Sequence, residues 1–138
     1  SPDSAAGGLV EHSAYNSTIT NCFATGQVNG FGQRGGLVGL NADNAKVSNC
    51  YAIGEVTEPY GETTGGLVGV AVNSDNVTNS LYDQETTGQS DSGKGEPKST
   101  DAMWQKATYT AKGWDFNSIW DIDQYYAYPF LIDVDNPY

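Results

Sequence analysis

The residues able to do chemistry are few. His12 is the only histidine, and Cys22 and Cys50 are the only cysteines. Zinc would need a second histidine or a close cysteine pair, and neither exists. There is no Gly-x-Ser-x-Gly elbow, no phosphate-cradling glycine loop and no nucleophile beside a base. Carboxylates are the remaining candidates. Asp83-Gln84-Glu85-Thr86-Thr87-Gly88 places Asp, Glu and Gly at positions 1, 3 and 6 of an EF-hand-like loop. Lys94 stands at position 12, where the bidentate Glu is required, so that motif fails. A calcium site of another kind would use Asp83, Glu85 and Asp91, with Asp121, Asp123, Asp133 and Asp135 as a second acidic group. Solvated acidic surface is the competing explanation. Trp104, Tyr125 and Tyr126 offer rings that could stack on sugar faces, although aromatics so dense more commonly form a core of their own.

These residues sit in a chain of 138 residues with 17 Asp and Glu against 6 Lys and Arg, a net charge of -11. That length suits a single domain. The charge argues against nucleic acid, which needs clustered cations, and against an anionic membrane surface. No apolar run is long enough to span a bilayer, so no membrane insertion is expected. Sixteen aromatic residues exclude a disordered acidic tail.

An internal repeat organises the chain. Gly7-Gly8-Leu9-Val10 recurs as Gly35-Gly36-Leu37-Val38-Gly39 and as Gly65-Gly66-Leu67-Val68-Gly69, at spacings of 28 and 30 residues. In step with it, Ile19-Thr20-Asn21-Cys22-Phe23-Ala24 recurs as Val47-Ser48-Asn49-Cys50-Tyr51-Ala52 and, degraded, as Val77-Thr78-Asn79-Ser80-Leu81-Tyr82. The second Gly of each first block precedes the aliphatic start of its second block by 11 residues every time. Only the outgoing loop varies, near Glu58-Pro59-Tyr60. Fixed internal spacing with one variable loop is the signature of stacked supersecondary units. Gly pairs penalise a helix, and Cys22, Ala24, Gly26 and Val28 alternate with Phe23, Thr25 and Gln27, so the units read as strands.

The expected fold is all-β: a right-handed parallel β-solenoid of about three coils, each with two or three short strands, closed by a mixed C-terminal cap. The divisions are a lead-in at 1–6, repeats at 7–34, 35–64 and 65–83, a polar exposed loop at 84–98 and a capping region at 99–138. Asn21, Asn49 and Asn79 are expected to form an amide ladder that satisfies neighbouring turns. Cys22 and Cys50 would be stacked neighbours, read as free thiols, with a disulfide sterically conceivable. His12 aligns with Leu40 and Val70 and reads as filler. Tyr82, aligned with Ala24 and Ala52, would fill the mouth of the last coil. Ser99 or Thr100 would N-cap a short helix, and strands would form at Ile119–Ile122 and Tyr128–Ile132. The first coil has little before it, so its edge is expected to meet upstream coils or another copy, with Tyr128–Ile132 as a candidate donor strand.

The two recurring blocks resemble the GLUG motif repeats of bacterial and archaeal cell-surface and secreted proteins, including adhesins of the filamentous-haemagglutinin type and stalks of IgA-cleaving metallopeptidases. The resemblance covers residues 7 to 83 in three copies, and the tail resembles segments that close such arrays. It implies an extracellular, surface-exposed repeat scaffold and carries no catalytic residue set. The function expected is therefore a non-enzymatic structural or adhesion module without an obligate cofactor, calcium being the candidate ion. Its partners would be copies of itself, upstream coils, or a host or matrix glycan or protein. The alternative is a β-helix that binds or cleaves polysaccharide.

Overall fold

The computed structural model describes residues 5–30, 32–57 and 63–132. Ser1 to Ser4 of the lead-in, the Glu58-Pro59-Tyr60 insertion and Asp133 and Asp135 lie outside the described residues. Most of the chain's regular elements are short strands in parallel sheets.

Each repeat supplies four strands, one more than the periodicity suggested, because the chain turns at the Gly pair and again at the Asn. Counted as tiers, each of which begins one or two residues ahead of the repeat boundary, the first gives β1 (Ala5–Gly7), β2 (Val10–Ser13), β3 (Thr18–Thr20) and β4 (Phe23–Ala24). The second gives β5 (Gln33–Gly35), β6 (Val38–Asn41), β7 (Lys46–Ser48) and β8 (Tyr51–Ala52). The third gives β9 (Thr64–Gly65), β10 (Val68–Ala71), β11 (Val77–Thr78) and β12 (Leu81–Asp83). Equivalent strands pair in parallel, so every sheet runs through three tiers in the orders β1-β5-β9, β2-β6-β10, β3-β7-β11 and β4-β8-β12. The register is that of the repeat: Val10 faces Val38 and Val38 faces Val68, Ile19 faces Val47, and Ala24, Ala52 and Tyr82 lie in one row. His12 pairs with Leu40, as its alignment required, and is exposed.

The four sheets enclose a core of Ala24, Leu37, Val38, Val47, Cys50, Ala52, Leu67, Val68 and Tyr82. It is narrow, and the Gly pairs set its width. A Cβ on Gly36 would collide with the carbonyl oxygen of Gly66 one tier on, and would come within 2.8 Å of the Ala52 Cβ. In the third tier the Tyr82 ring lies over Gly66, where a Cβ would meet its Cγ at 2.5 Å. Tyr82 is fully buried, so it fills the end of the core as its alignment with Ala24 and Ala52 suggested.

The Asn row behaves differently from the ladder expected. Asn21, Asn49 and Asn79 have φ of 54°, 54° and 50°. Among the described residues no hydrogen bond joins their side chains, and Asn79 is exposed. The recurrence marks a corner that needs left-handed backbone, which Asn tolerates better than other non-glycine residues. Asn49→Gly should therefore leave stability within about 0.5 kcal/mol, whereas Asn49→Ala should cost about 1 kcal/mol. Denaturant unfolding of the two variants checks this. An amide ladder would instead make Gly the worse replacement.

The two C-terminal segments exchange the places expected of them. The polar stretch 84–98 lies over the third tier. It starts with α1 (Gln84–Thr87), held by the Asp83 side chain, and ends in β13 (Glu96–Lys98), which adds in parallel to β12. Pro97 sits in this edge strand, a position where it blunts further pairing. The aromatic region beyond it packs along the outer side of the β4-β8-β12 sheet. It contains α2 (Thr100–Met103), whose Ala102 N donates to the N-cap Ser99 Oγ (3.1 Å), and α3 (Lys106–Thr110). An antiparallel pair, β14 (Trp120–Asp121) and β15 (Phe130–Leu131), completes it. Tyr128–Ile132, the candidate donor strand, is thus engaged within the chain: β15 pairs with β14, and Ile132 N donates to Ile119 O.

Candidate functional site

Two of the candidate carboxylates, Asp83 and Glu85, lie where the third tier meets the two C-terminal segments. Asp83 closes β12 and is fully buried. Its Oδ1 accepts from the backbone N–H groups of Glu85 (2.8 Å) and Thr86 (3.1 Å), which starts α1. Its Oδ2 accepts from Thr100 Oγ1 (2.6 Å) and the Tyr128 hydroxyl (2.5 Å). Four donors surround a buried carboxylate with no cation among them, so hydrogen bonding carries its stabilisation. Glu85 Oε2 accepts from Thr100 N (2.7 Å). The pair therefore ties β12, α1 and α2 to Tyr128.

Asp91 is held elsewhere. Its Oδ1 accepts from Gly66 N (2.9 Å), its Oδ2 from Lys94 Nζ (3.0 Å), and its carbonyl from the Tyr82 hydroxyl. Asp83 and Glu85 thus share one hydrogen-bond network and Asp91 belongs to another, and among the described residues no group of three His, Cys, Asp or Glu is placed to hold a metal ion. Asp121 and Asp123 are exposed, and Asp121 Oδ1 accepts from Ile122 N.

Cys22 and Cys50 are free thiols in adjacent tiers. Each donates to the carbonyl two residues back, Cys22 to Thr20 (3.2 Å) and Cys50 to Ser48 (3.1 Å). Ser80 repeats this bond to Thr78 (2.9 Å), and its oxygen accepts from Cys50 N. The row Cys-Cys-Ser is one structural motif with interchangeable small donors. Burial pushes the Cys50 thiol up to about 12, which suppresses the reactive thiolate.

Of the candidate glycan residues, Tyr125 and Tyr126 are exposed, at 66% and 76%, and Tyr125 has φ of 70°. Trp104 is half-buried, edge-on to Tyr128 at 6.0 Å. The three do not present one open platform. Through Tyr128, Trp104 borders an aromatic layer that contains Tyr51, Tyr109, Trp114 and Trp120. Phe23 and Tyr51 stack at 5.1 Å on successive tiers, and Trp120 packs 5.9 Å from Tyr51 and 4.7 Å from Trp114. Trp114 Nε1 donates to Asn79 O (2.8 Å) and the Tyr51 hydroxyl to Pro129 O (2.5 Å).

Arg34 gave no signal in the sequence, yet it is 1% exposed and donates to Gly30 O (2.7 Å) and Thr64 Oγ1 (3.1 Å). Lys98 and Lys112 both pair with Glu96, which lowers its carboxyl through the Lys112 contact first.

Buried phenols give the region a pH limit. Burial raises Tyr51, Tyr82 and Tyr109, and burial with the Asp83 carboxylate holds Tyr128 up to about 12. An unfolded phenol ionises near pH 10. These groups therefore stabilise the fold fully below about pH 10, and the contribution falls as pH rises above that, for Tyr128 through about 12, because the unfolded chain then binds fewer protons. Phenolate absorbance and circular dichroism followed together should show buried tyrosines ionising only as the chain unfolds. Ionisation of all nine tyrosines in a folded chain would contradict it.

Parallel strands in three-tier register define a β-rich repeat protein. Residues 35–57 match the GLUG motif, and the Gly-Gly-Leu-Val and Asn blocks within that segment recur in the tiers on either side of it. A segment of 62 residues, 43% of the chain, is 50% identical to a protein of Evansella cellulosilytica named "Putative Gly-rich membrane protein". That match spans 7% of the relative's length. No solved structure matches the chain. Among the described residues, no helix is long and apolar enough to cross a membrane.

Proposed function

We propose that the chain is a non-enzymatic structural module of the extracellular cell surface, the terminal part of a right-handed β-solenoid whose three tiers are successive coils. The observation that carries this reading is the inequality of the two ends. Leu37 and Leu67 are fully buried, while their first-tier counterpart Leu9 is 48% exposed. Gly95 lies against Leu67, where a Cβ would come within 2.6 Å of its Cβ. The finished end carries the C-terminal segments, and the unfinished end suits further coils upstream. Support for a surface location comes from the GLUG motif and from the name of the much longer relative.

Placing a further copy of residues 35–64 directly before the first repeat tests this. A coil in register should cover Leu9 and raise the unfolding midpoint without loss of cooperativity. An unchanged or lower midpoint would count against the solenoid terminus. The alternative, a polysaccharide-binding module, draws on exposed Tyr125 and Tyr126. It predicts glycan-array binding that Tyr126→Ala removes.

A further inference from the structure

We propose that the loop around Asp91 and Lys94 is a surrogate fourth tier, which ends the stack and denies that face to the first tier of a second copy. The inference rests on reading the tiers as coils and adds how the array is stopped.

Between tiers, backbone N–H groups of the Gly-Gly-Leu-Val turn donate to carbonyls one tier on: Gly8 N to Gly36 O (3.1 Å), Leu9 N to Leu37 O (3.0 Å) and Leu37 N to Leu67 O (2.8 Å). In the third tier Gly66 N has no further backbone and donates to Asp91 Oδ1 at 2.9 Å. The carboxylate stands in for a carbonyl. Lys94 supplies the opposite group, donating from Nζ to Thr64 O (3.1 Å) and Val68 O (2.9 Å). Its place is that of a backbone amide. A Cβ on Gly7 would meet Gly39 N at 2.8 Å, one on Gly35 would meet Gly69 N at 2.5 Å, and one on Gly65 would meet Lys94 Nζ at 2.5 Å. The two side chains also neutralise each other at 3.0 Å. At this turn, one donor (Gly66 N) and two acceptors (Thr64 O and Val68 O) that a fourth coil would satisfy are thus answered by one charged pair.

The repeat itself makes the opposite faces complementary, since first tier meets second as second meets third. A contact between the first tier of one copy and the third tier of another would be heterologous and would not close, so it would grow into a filament. A bare sheet edge invites such growth. The loop removes one of the two faces it needs.

Sedimentation of the full chain over a concentration series tests this on the wild type and on Asp91→Ala/Lys94→Ala. The wild type should level off at one or two chains. The double variant should rise in weight-average mass without levelling, and adding Leu9→Asp should return it to the wild-type profile. Unlimited growth by the wild type, or a folded double variant that levels off with it, would overturn the proposal. Should the double variant not fold, Lys94→Met keeps the stem and removes only the donor. A folded Lys94→Met chain that does not grow overturns it equally. Addition of an upstream coil acts on the other end, so the solenoid reading can stand while this one fails.

Discussion

Gly36→Ala is expected to destabilise the chain by about 3 kcal/mol or more, at or beyond the upper end of overpacking costs. The added Cβ meets the Gly66 carbonyl and the Ala52 Cβ, groups fixed by the tier above and by the opposite wall. Neither is the tip of a flexible side chain, so relief requires the tiers to part. Gly26 is the control, because a Cβ there meets nothing within 4 Å. Gly26→Ala should leave stability within about 1 kcal/mol, with a gain permitted by the stiffer unfolded chain. Urea unfolding of both variants decides the matter. Equal losses would mean that the Gly pair does not set the width of the core.

Trp120→Ala should cost about 3–5 kcal/mol and lower the melting temperature by roughly 10–20 °C. Trp120 is fully buried and is the largest such side chain. Its ring touches Trp114, Tyr51 and Phe23, and so braces two tiers from the side. Differential scanning calorimetry gives the measurement. A loss below about 1 kcal/mol would show that the aromatic layer is dispensable to the sheets.

Strand register was legible because stacking forces equivalent residues into contact: the spacings of 28 and 30 residues reappear as Val10 against Val38 and Val38 against Val68. The α2 start was legible from the capping candidates Ser99 and Thr100, and the β14-β15 pair from the apolar segments Ile119–Ile122 and Tyr128–Ile132. Three things were not. The role of the polar loop was hidden because Asp91 and Lys94 answer backbone groups, which leave no trace in an apolar pattern. The side-on docking of the tail was hidden because Phe23 and Tyr51 alternate outward from the repeat, a pattern equally compatible with solvent exposure. The Asn row was visible, but a recurring Asn fits both an amide ladder and a left-handed corner, and only φ separates them. At the candidate site, the acidic residues were identified and their partners were not, since Thr100 and Tyr128 approach Asp83 from distant sequence.

Stacked repeats that touch only their neighbours can peel apart one at a time, starting from the less protected end. The side layer changes this. Phe23, Tyr51 and Leu81, one from each tier, are packed by the same aromatic group. The three tiers are thereby fastened to a common brace, like staves to a hoop, and the first tier cannot unravel without disturbing contacts that also hold the second and third. Exposed Leu9 notwithstanding, a protease working on the open end would face the opening free energy of the whole unit rather than that of one repeat. The Trp120→Ala chain should lose that protection first at the first tier.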